Sequence, residues 1–221
     1  SNYFLNTRAT KMKSYAFENA EKAFLKAVLL LEREPSQHEA LTNSYRNLCK
    51  LNLERKNKQM ALHYFEKAKH TFEKIPNPNP RKKAQFYFDE ANMLFKQREI
   101  TASSLAIERV FKTLIPAYSS AKTVLPNQSA LYAETILLDV LDLQAELFLA
   151  QSQPKKALES YALAFHIEAL FQSLLVYENS KIIIQIRNRN RTERCIAIYQ
   201  SLFQKENKKK VRGKDMTKFF V

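Results

Sequence analysis

The scarcity of glycine is the feature that most constrains the fold of this chain. Its 221 residues include a single glycine, Gly213. Tight hairpins, β-bulges and nucleotide-binding loops need backbone angles that glycine adopts readily and other residues resist. A sheet protein or a nucleotide-binding α/β enzyme is therefore disfavoured. Because good helix formers dominate and apolar residues reach 45%, the sequence predicts an all-α fold with a buried core.

A three-residue pattern recurs along the chain and predicts stacked helices. A small residue is followed four positions later by a large apolar or aromatic residue, and three positions after that by another apolar residue. These spacings place the three side chains on one stripe of a helix. The copies are Ala20, Phe24 and Ala27; Ala61, Phe65 and Ala68; Ser103, Ile107 and Val110; Ala157, Tyr161 and Ala164; and Cys195, Tyr199 and Leu202. We expect the five small residues to be buried at equivalent helix crossings.

A second pattern begins sixteen positions before each of the last four small residues and predicts a leading helix for those repeats. Its copies are Tyr45, Leu48, Cys49 and Asn52; Tyr87, Glu90, Ala91 and Leu94; Leu141, Gln144, Ala145 and Phe148; and Asn179, Ile182, Ile183 and Ile186. Each repeat is then a helix hairpin that buries its apolar face by stacking on its neighbours. With proline-marked loops between them, about ten helices are predicted, roughly at 10–34, 37–55, 58–75, 81–97, 101–115, 128–151, 155–174, 177–189, 192–206 and from 215.

The segment from Tyr45 to Ala68 resembles a tetratricopeptide (TPR) repeat. Its departures are Cys49 and Asn52, which occupy the family's glycine and second aromatic positions. Successive small residues lie 41, 42, 54 and 38 positions apart, which exceeds the family period of about 34. The resemblance implies a right-handed superhelix of antiparallel helix hairpins with about five repeats. Residues 1–221 would form one such domain, as a piece of a longer protein.

The second half of the chain carries a narrower resemblance. The segments Lys112–Tyr118, Leu137–Glu146, Pro154–Ala164 and Glu178–Lys181 are similar to the repeats that precede a CHAT domain in bacterial proteins. A CHAT domain is a caspase-like cysteine protease module. The resemblance covers about residues 100–221 and implies a regulatory repeat region upstream of a protease. No protease signature lies in the chain itself, so we expect no catalytic activity and no cofactor.

The repeat register places a partner-binding groove along the leading helices. Its basic and polar part comprises Asn43, Arg46 and Lys50 on one hairpin and Gln85, Phe88, Asn92 and Lys96 on the next. Its acidic part comprises Asp139, Asp142 and Glu146. Such a groove would bind a protein or peptide, and opposite charges at its two ends would fix the ligand's direction. Solvated helix faces explain the same charges equally well.

An arginine patch offers an alternative function. Arg187, Arg189, Arg191 and Arg194 lie close together in a chain of net charge +14, and arginine suits bidentate contacts with phosphate or carboxylate. A basic adaptor that binds nucleic acid or ribonucleoprotein is therefore a second hypothesis. A peptide-sensing bacterial regulator is a third, although no helix-turn-helix or effector segment is visible.

The remaining chemical candidates favour structural roles. The four histidines are scattered, and although His63 and His70 lie seven apart, no third metal ligand accompanies them. Cys49 and Cys195 fall on apolar helix stripes, which indicates core thiols. No apolar run is long enough to span a membrane and no signal peptide is recognisable, so a cytoplasmic location is favoured.

Overall fold

The computed structural model describes the backbone of residues 2–34, 36–121, 123–174 and 178–217, and the side chains of residues 15–34, 36–121, 123–172 and 186–207. These parts of the chain are all-α and contain no strand. The α-helices are α1 (Asn2–Leu31), α2 (His38–Glu54), α3 (Lys58–Phe72), α4 (Pro80–Lys96), α5 (Ile100–Leu114), α6 (Thr135–Ala150), α7 (Pro154–Leu174) and α8 (Glu178–Thr217). A short 3-10 helix covers Gln128–Ala130.

The chain divides into two compact units, Ser1–Ser103 and Ser104–Val221. In the first unit, α2 packs against α1, α3 and α4. Its core is formed by buried residues from these four helices, which are Val28, Tyr45, Leu48, Cys49, Leu53, Ala61, Tyr64, Phe65, Ala68, Phe86 and Met93. In the second unit, α7 packs against α6 and α8, around Ala145, Phe148, Ala157, Tyr161 and Ile198.

The same turn geometry ends three of the helices. Lys56, Arg98 and Ser152 follow the ends of α2, α4 and α6, and each has a positive φ of 59°, 69° and 59° respectively. In each turn the next residue donates its backbone N–H to a carbonyl five positions earlier, over 2.8–2.9 Å. This bond, together with one from the positive-φ residue to a carbonyl three positions earlier, defines the Schellman motif that ends a helix. The repeat is therefore visible in the backbone as well as in the sequence.

The shared turn places the small residues at matching positions. Ala61, Ser103 and Ala157 each lie nine residues after the helix carbonyl that accepts the long Schellman bond, and all three are fully buried. Ser103 donates its hydroxyl to the Ala91 carbonyl over 2.7 Å, so its polar group is satisfied at the crossing. The other two predicted crossings differ, because Ala20 and Cys195 are only half-buried.

Two helices are longer than the sequence predicted, because no helix-breaking residue interrupts them. α1 is continuous from Asn2, whereas the first predicted helix begins near residue 10. α8 is continuous for 40 residues, where two helices and a further fragment had been expected. Neither proline nor glycine occurs in α8 before Gly213, so the chain carries no signal for an interruption. The sequence also predicts an exposed apolar end formed by Phe219, Phe220 and Val221, and these residues lie outside the described part of the chain.

Replacing Ser152 with glycine should stabilise the protein. A non-glycine residue in the left-handed region costs about 1 kcal/mol, and Ser152→Gly removes this cost. Glycine also makes the unfolded chain more flexible, which offsets part of the gain. We expect a gain of about 0.5 kcal/mol and a rise in melting temperature of about 1–2 °C. Ala150→Gly, at an exposed helical position two residues earlier, should instead destabilise by about 1 kcal/mol. Thermal unfolding followed by circular dichroism checks both, and destabilisation by Ser152→Gly would contradict the assigned turn.

Candidate functional site

The leading helices α2 and α4 bring most of the predicted basic groove together around a carboxylate. Asp89 on α4 is 7% exposed and accepts a hydrogen bond from Arg46 Nε to its Oδ2 over 2.5 Å. Lys50 Nζ lies 3.1 Å from Asp89 Oδ1, and Gln85 Nε2 donates to the same oxygen over 3.3 Å. Arg46 also donates to Asn43 Oδ1 over 2.8 Å. Four of the seven predicted groove residues of this unit are therefore linked through a buried acid.

Two exposed ion pairs flank the Asp89 cluster along the same pair of helices. Glu39 Oε1 lies 2.5 Å from Lys82 Nζ, and Glu54 Oε1 lies 3.5 Å from Lys96 Nζ. Partners in all these pairs are 39 to 43 positions apart and advance together along α2 and α4, which shows that the two helices run parallel. Phe88 and Asn92, the remaining predicted residues, are half-buried.

A small cavity of about 160 Å³ opens where α2 faces the start of α4. Its lining includes the predicted groove residues Asn43, Arg46 and Gln85. Its apolar part includes Phe72 and Phe86, whose rings stack with centroids 4.4 Å apart. The cavity therefore combines an aromatic surface with hydrogen-bond donors, as ligand sites commonly do.

In the second unit, the predicted acidic groove and the predicted arginine patch pair with each other. Three acids on α6 meet three arginines on α8. The contacts are Asp139 Oδ1 to Arg187 Nη1 at 2.6 Å, Asp142 to Arg191 at 2.7 and 2.9 Å, and Glu146 Oε2 to Arg194 Nη2 at 2.9 Å. Partners are 48 or 49 positions apart and advance together, so α6 and α8 are also parallel. We call this set the α6–α8 ladder.

Arg191 is the centre of the ladder. Its side chain is 1% exposed and forms a bidentate pair with Asp142, and its guanidinium carbon lies 5.0 Å from the centre of the Phe165 ring. Its Nη1 lies 2.7 Å from Glu168 Oε2 on α7, which is also 1% exposed. Burial by itself would lower the pKa of Arg191, but hydrogen bonding to Asp142 and the charges of both acids raise it overall. Arg191 therefore joins α6, α7 and α8 as a permanent cation.

The α6–α8 ladder corrects the predicted register of the last repeat. The sequence pattern paired Leu141 with Asn179, an offset of 38 positions, whereas the ladder gives 48 or 49. The ion pairs decide the register because a buried arginine needs carboxylate partners, whereas an apolar stripe tolerates a slip. Accordingly, Ile186 is 57% exposed and Tyr199 is 62% exposed, although both were predicted as packing positions.

Sequence reasoning missed the two buried acids, Asp89 and Glu168. Asp89 lies inside the leading-helix pattern but is not one of its positions, and Glu168 belongs to neither repeat pattern. The ladder itself had a readable signal, since acids on α6 at spacings of three and four match arginines on α8 at spacings of four and three. Arg189 is the exception in the patch, because it is 81% exposed and pairs with Glu193 on its own helix.

Burial perturbs several titratable side chains in the two units. It raises the pKa of the Cys49 thiol to about 12, with help from the Asp89 charge. Burial also raises the pKa of Tyr45 and Tyr161, and each hydroxyl donates to a carboxylate, Glu32 and Glu146 respectively, which adds to the effect. These groups therefore stay protonated at neutral pH and act as core or hydrogen-bonding residues.

Within the described part of the chain, no group of three or more histidine, cysteine or acidic side chains is placed to hold a metal ion. His166 instead shares a hydrogen bond with Gln128 over 3.1 Å. Among the same residues, no helix is long and apolar enough to cross a membrane.

Comparison with known proteins supports the fold class. No protein-family model matches the chain, and no curated protein matches its sequence. A solved structure with a similar fold is the crystal structure of BtubC (BKLC) from P. vanneervenii, with a TM-score of 0.50 and 16% sequence identity. The match covers 84% of this chain and 74% of BtubC. At this identity the likeness concerns the fold alone. The chain is an all-α protein with a repeat-like arrangement of helix hairpins.

Removing Arg191 should strongly destabilise the second unit. Arg191→Met leaves Glu168 buried without its counter-charge, so we expect a loss of about 3–5 kcal/mol in the free energy of unfolding. Arg189→Met on the exposed side of the same helix should change it by at most about 0.5 kcal/mol. Urea unfolding measures both.

A second variant separates the ion pair from general loss of packing. Arg191→Met combined with Glu168→Leu removes both buried charges and should recover much of the lost stability. Equal effects of Arg191→Met and Arg189→Met would contradict the central role of Arg191.

The Cys49 thiol should resist alkylation until the protein unfolds. At pH 8 a thiol of pKa about 12 is almost entirely protonated, and only the thiolate reacts. In a Cys195→Ser variant, we expect Cys49 to react with Ellman's reagent at least about a hundredfold more slowly than in urea. The folded state binds the Cys49 proton more tightly than the unfolded state does. The contribution of this thiol to the free energy of unfolding should therefore decline as the pH rises above about 8.5. Equal reaction rates in buffer and urea would contradict the burial of Cys49.

Proposed function

We propose that the protein is a binding scaffold for a protein or peptide, and that the cavity between α2 and α4 is its primary contact point. The observation that carries this proposal is the convergence of Asn43, Arg46 and Gln85 on one cavity with an aromatic surface. Three residues that were selected from the repeat register alone lie together there. Peptide-binding surfaces combine a pocket for an apolar side chain with polar groups that fix its orientation.

The charges around the cavity favour an acidic ligand. Lys50 and Arg46 together outweigh the single charge of Asp89. Arg81 and Lys82 line the cavity together with one acid, Glu39, which pairs with Lys82. An apolar ligand side chain would pack against Phe72 and Phe86, while a nearby carboxylate would lie close to these cations. A peptide with an apolar residue beside an acidic residue fits both features.

Selection from a peptide library tests this proposal directly. We expect phage-displayed peptides that bind the protein to carry an apolar residue next to aspartate or glutamate. Replacing that apolar residue with alanine should raise the dissociation constant about 10- to 100-fold, which corresponds to the burial of one side chain.

A matched pair of variants locates the binding surface. Asn43→Tyr fills the mouth of the cavity from an exposed position and should weaken binding of the selected peptides at least about tenfold. Lys69→Tyr, at an exposed position on α3, should leave it within about twofold. Equal binding by wild type and Asn43→Tyr would exclude the cavity, and failure to enrich any peptide would argue against a peptide-binding function.

The repeat family and the regulatory role that we propose rest on sequence patterns. We propose a TPR-type repeat for the hairpins, supported by the residues from Tyr45 to Ala68 and by the three matching turns. The resemblance of residues 100–221 to repeats ahead of CHAT domains supports a sensing or regulatory role beside a cysteine protease. Reading the parent gene past Val221 tests this role, and an immediate stop codon would remove it.

The nucleic-acid alternative has less support. A phosphate contact needs an accessible guanidinium. Arg191 is 1% exposed, and the other three arginines of the patch already contact carboxylates, including Arg189, which is 81% exposed but pairs with Glu193. A phosphate would have to displace these acids. A steep fall of nucleic-acid affinity with salt would be needed to revive this hypothesis.

A further inference from the structure

The outward face of α8 carries an apolar stripe of three large side chains. Ile196, Tyr199 and Phe203 are spaced by three and four residues, so they lie on one line along the helix. They are 51%, 62% and 66% exposed. A different line of the helix, which carries Arg191 and Ile198, faces the second unit's core. The stripe is therefore separate from the contacts that hold α8 in place.

The charge of α8 indicates what kind of partner the stripe fits. From residue 178 to 217 the helix has eleven basic and four acidic side chains. Six of these cations fall between residues 205 and 214, directly after the stripe, against one acid. The helix backbone continues through this cationic segment to Thr217. A partner must offer an apolar line beside a concentration of negative charge.

We propose that this face of α8 is a docking surface for an amphipathic, acidic helix of another protein. The partner's apolar residues would pack on Ile196, Tyr199 and Phe203, as amphipathic helices do at i, i+3, i+4 and i+7. Its acidic residues would extend over the basic segment that follows. A second copy of this chain fits poorly, because each copy has a net charge of +14 and the same basic helix.

An anionic membrane surface fits the geometry less well than a helix. A helix that lies on a membrane has a long apolar face with cations on its opposite side. Here the three apolar residues cover only about two turns of the helix, and six cations follow this short stripe along the helix between residues 205 and 214. A protein helix that carries its own apolar and acidic parts in succession matches this order.

Binding of designed peptides tests the proposal. The probe is a fluorescent 21-residue helix that has leucine at i, i+3, i+4 and i+7 and glutamate at its remaining surface positions. One control peptide replaces glutamate with lysine, and another scrambles the leucine positions at constant charge. In fluorescence anisotropy we expect the acidic amphipathic peptide to bind at least about tenfold more tightly than either control.

Matched variants assign the binding to the stripe. Tyr199→Ser with Phe203→Ser should weaken binding of the acidic peptide about tenfold or more, because two apolar contacts are lost. Asn190→Ser with Ala197→Ser, at exposed positions of α8 that are not spaced by three, four or seven residues from any stripe residue, should leave it within about twofold. Circular dichroism melting confirms that both variants are folded.

Three results would overturn the proposal. Equal binding of the scrambled peptide would reduce the effect to charge alone. If the protein sedimented with vesicles of equal parts phosphatidylcholine and phosphatidylserine but did not bind the acidic peptide, the face would be assigned to a membrane. If the wild type were a dimer and the Tyr199→Ser with Phe203→Ser variant a monomer, the face would be assigned to a second copy of this chain. The proposal concerns a surface distinct from the α2–α4 cavity, so its outcome is independent of that site.

Discussion

Ion pairs between parallel leading helices set how the helices of each unit align. In the first unit Arg46 meets the buried acid Asp89, and in the second Arg191 meets Asp142 and Glu168. A buried charge without a partner is far more costly than a misplaced apolar contact, so these pairs exclude neighbouring registers. The exposed pairs around them contribute little energy by themselves but repeat the same alignment.

Helix hairpins supply the parts that these ion pairs align. Three hairpins end their first helix with the same backbone turn and place a fully buried small residue nine positions later. In the α2–α3 and α6–α7 hairpins, whose two helices pack against each other within one unit, the buried small residue belongs to the second helix of the pair. The functional surfaces then follow from the alignment, since a cavity opens where α2 and α4 lie side by side and an apolar stripe remains on the outward face of α8.

Local patterns predicted the hairpins but not the alignment of the last helix. Ala61, Ser103 and Ala157 were identified from spacing because helix periodicity acts over a few residues and leaves a direct trace in sequence. The positive-φ turns at Lys56, Arg98 and Ser152 were missed because no glycine marks them. The pairing of Asp139, Asp142 and Glu146 with arginines was missed because contacts across nearly fifty positions depend on which helices meet.

Chemical cross-linking between α6 and α8 tests the alignment most directly. In a variant without native cysteines, Glu146→Cys with Arg194→Cys places two thiols at a contact of the α6–α8 ladder. Glu146→Cys with Ile184→Cys places them in the register that the sequence pattern predicted, 38 positions apart. The cross-linker is a bis-maleimide whose two reactive groups lie about 8 Å apart, roughly twice the 4 Å limit of an ion pair. The alignment described above predicts efficient intramolecular cross-linking of the first cysteine pair and little cross-linking of the second. Preferential cross-linking of the second pair would contradict it.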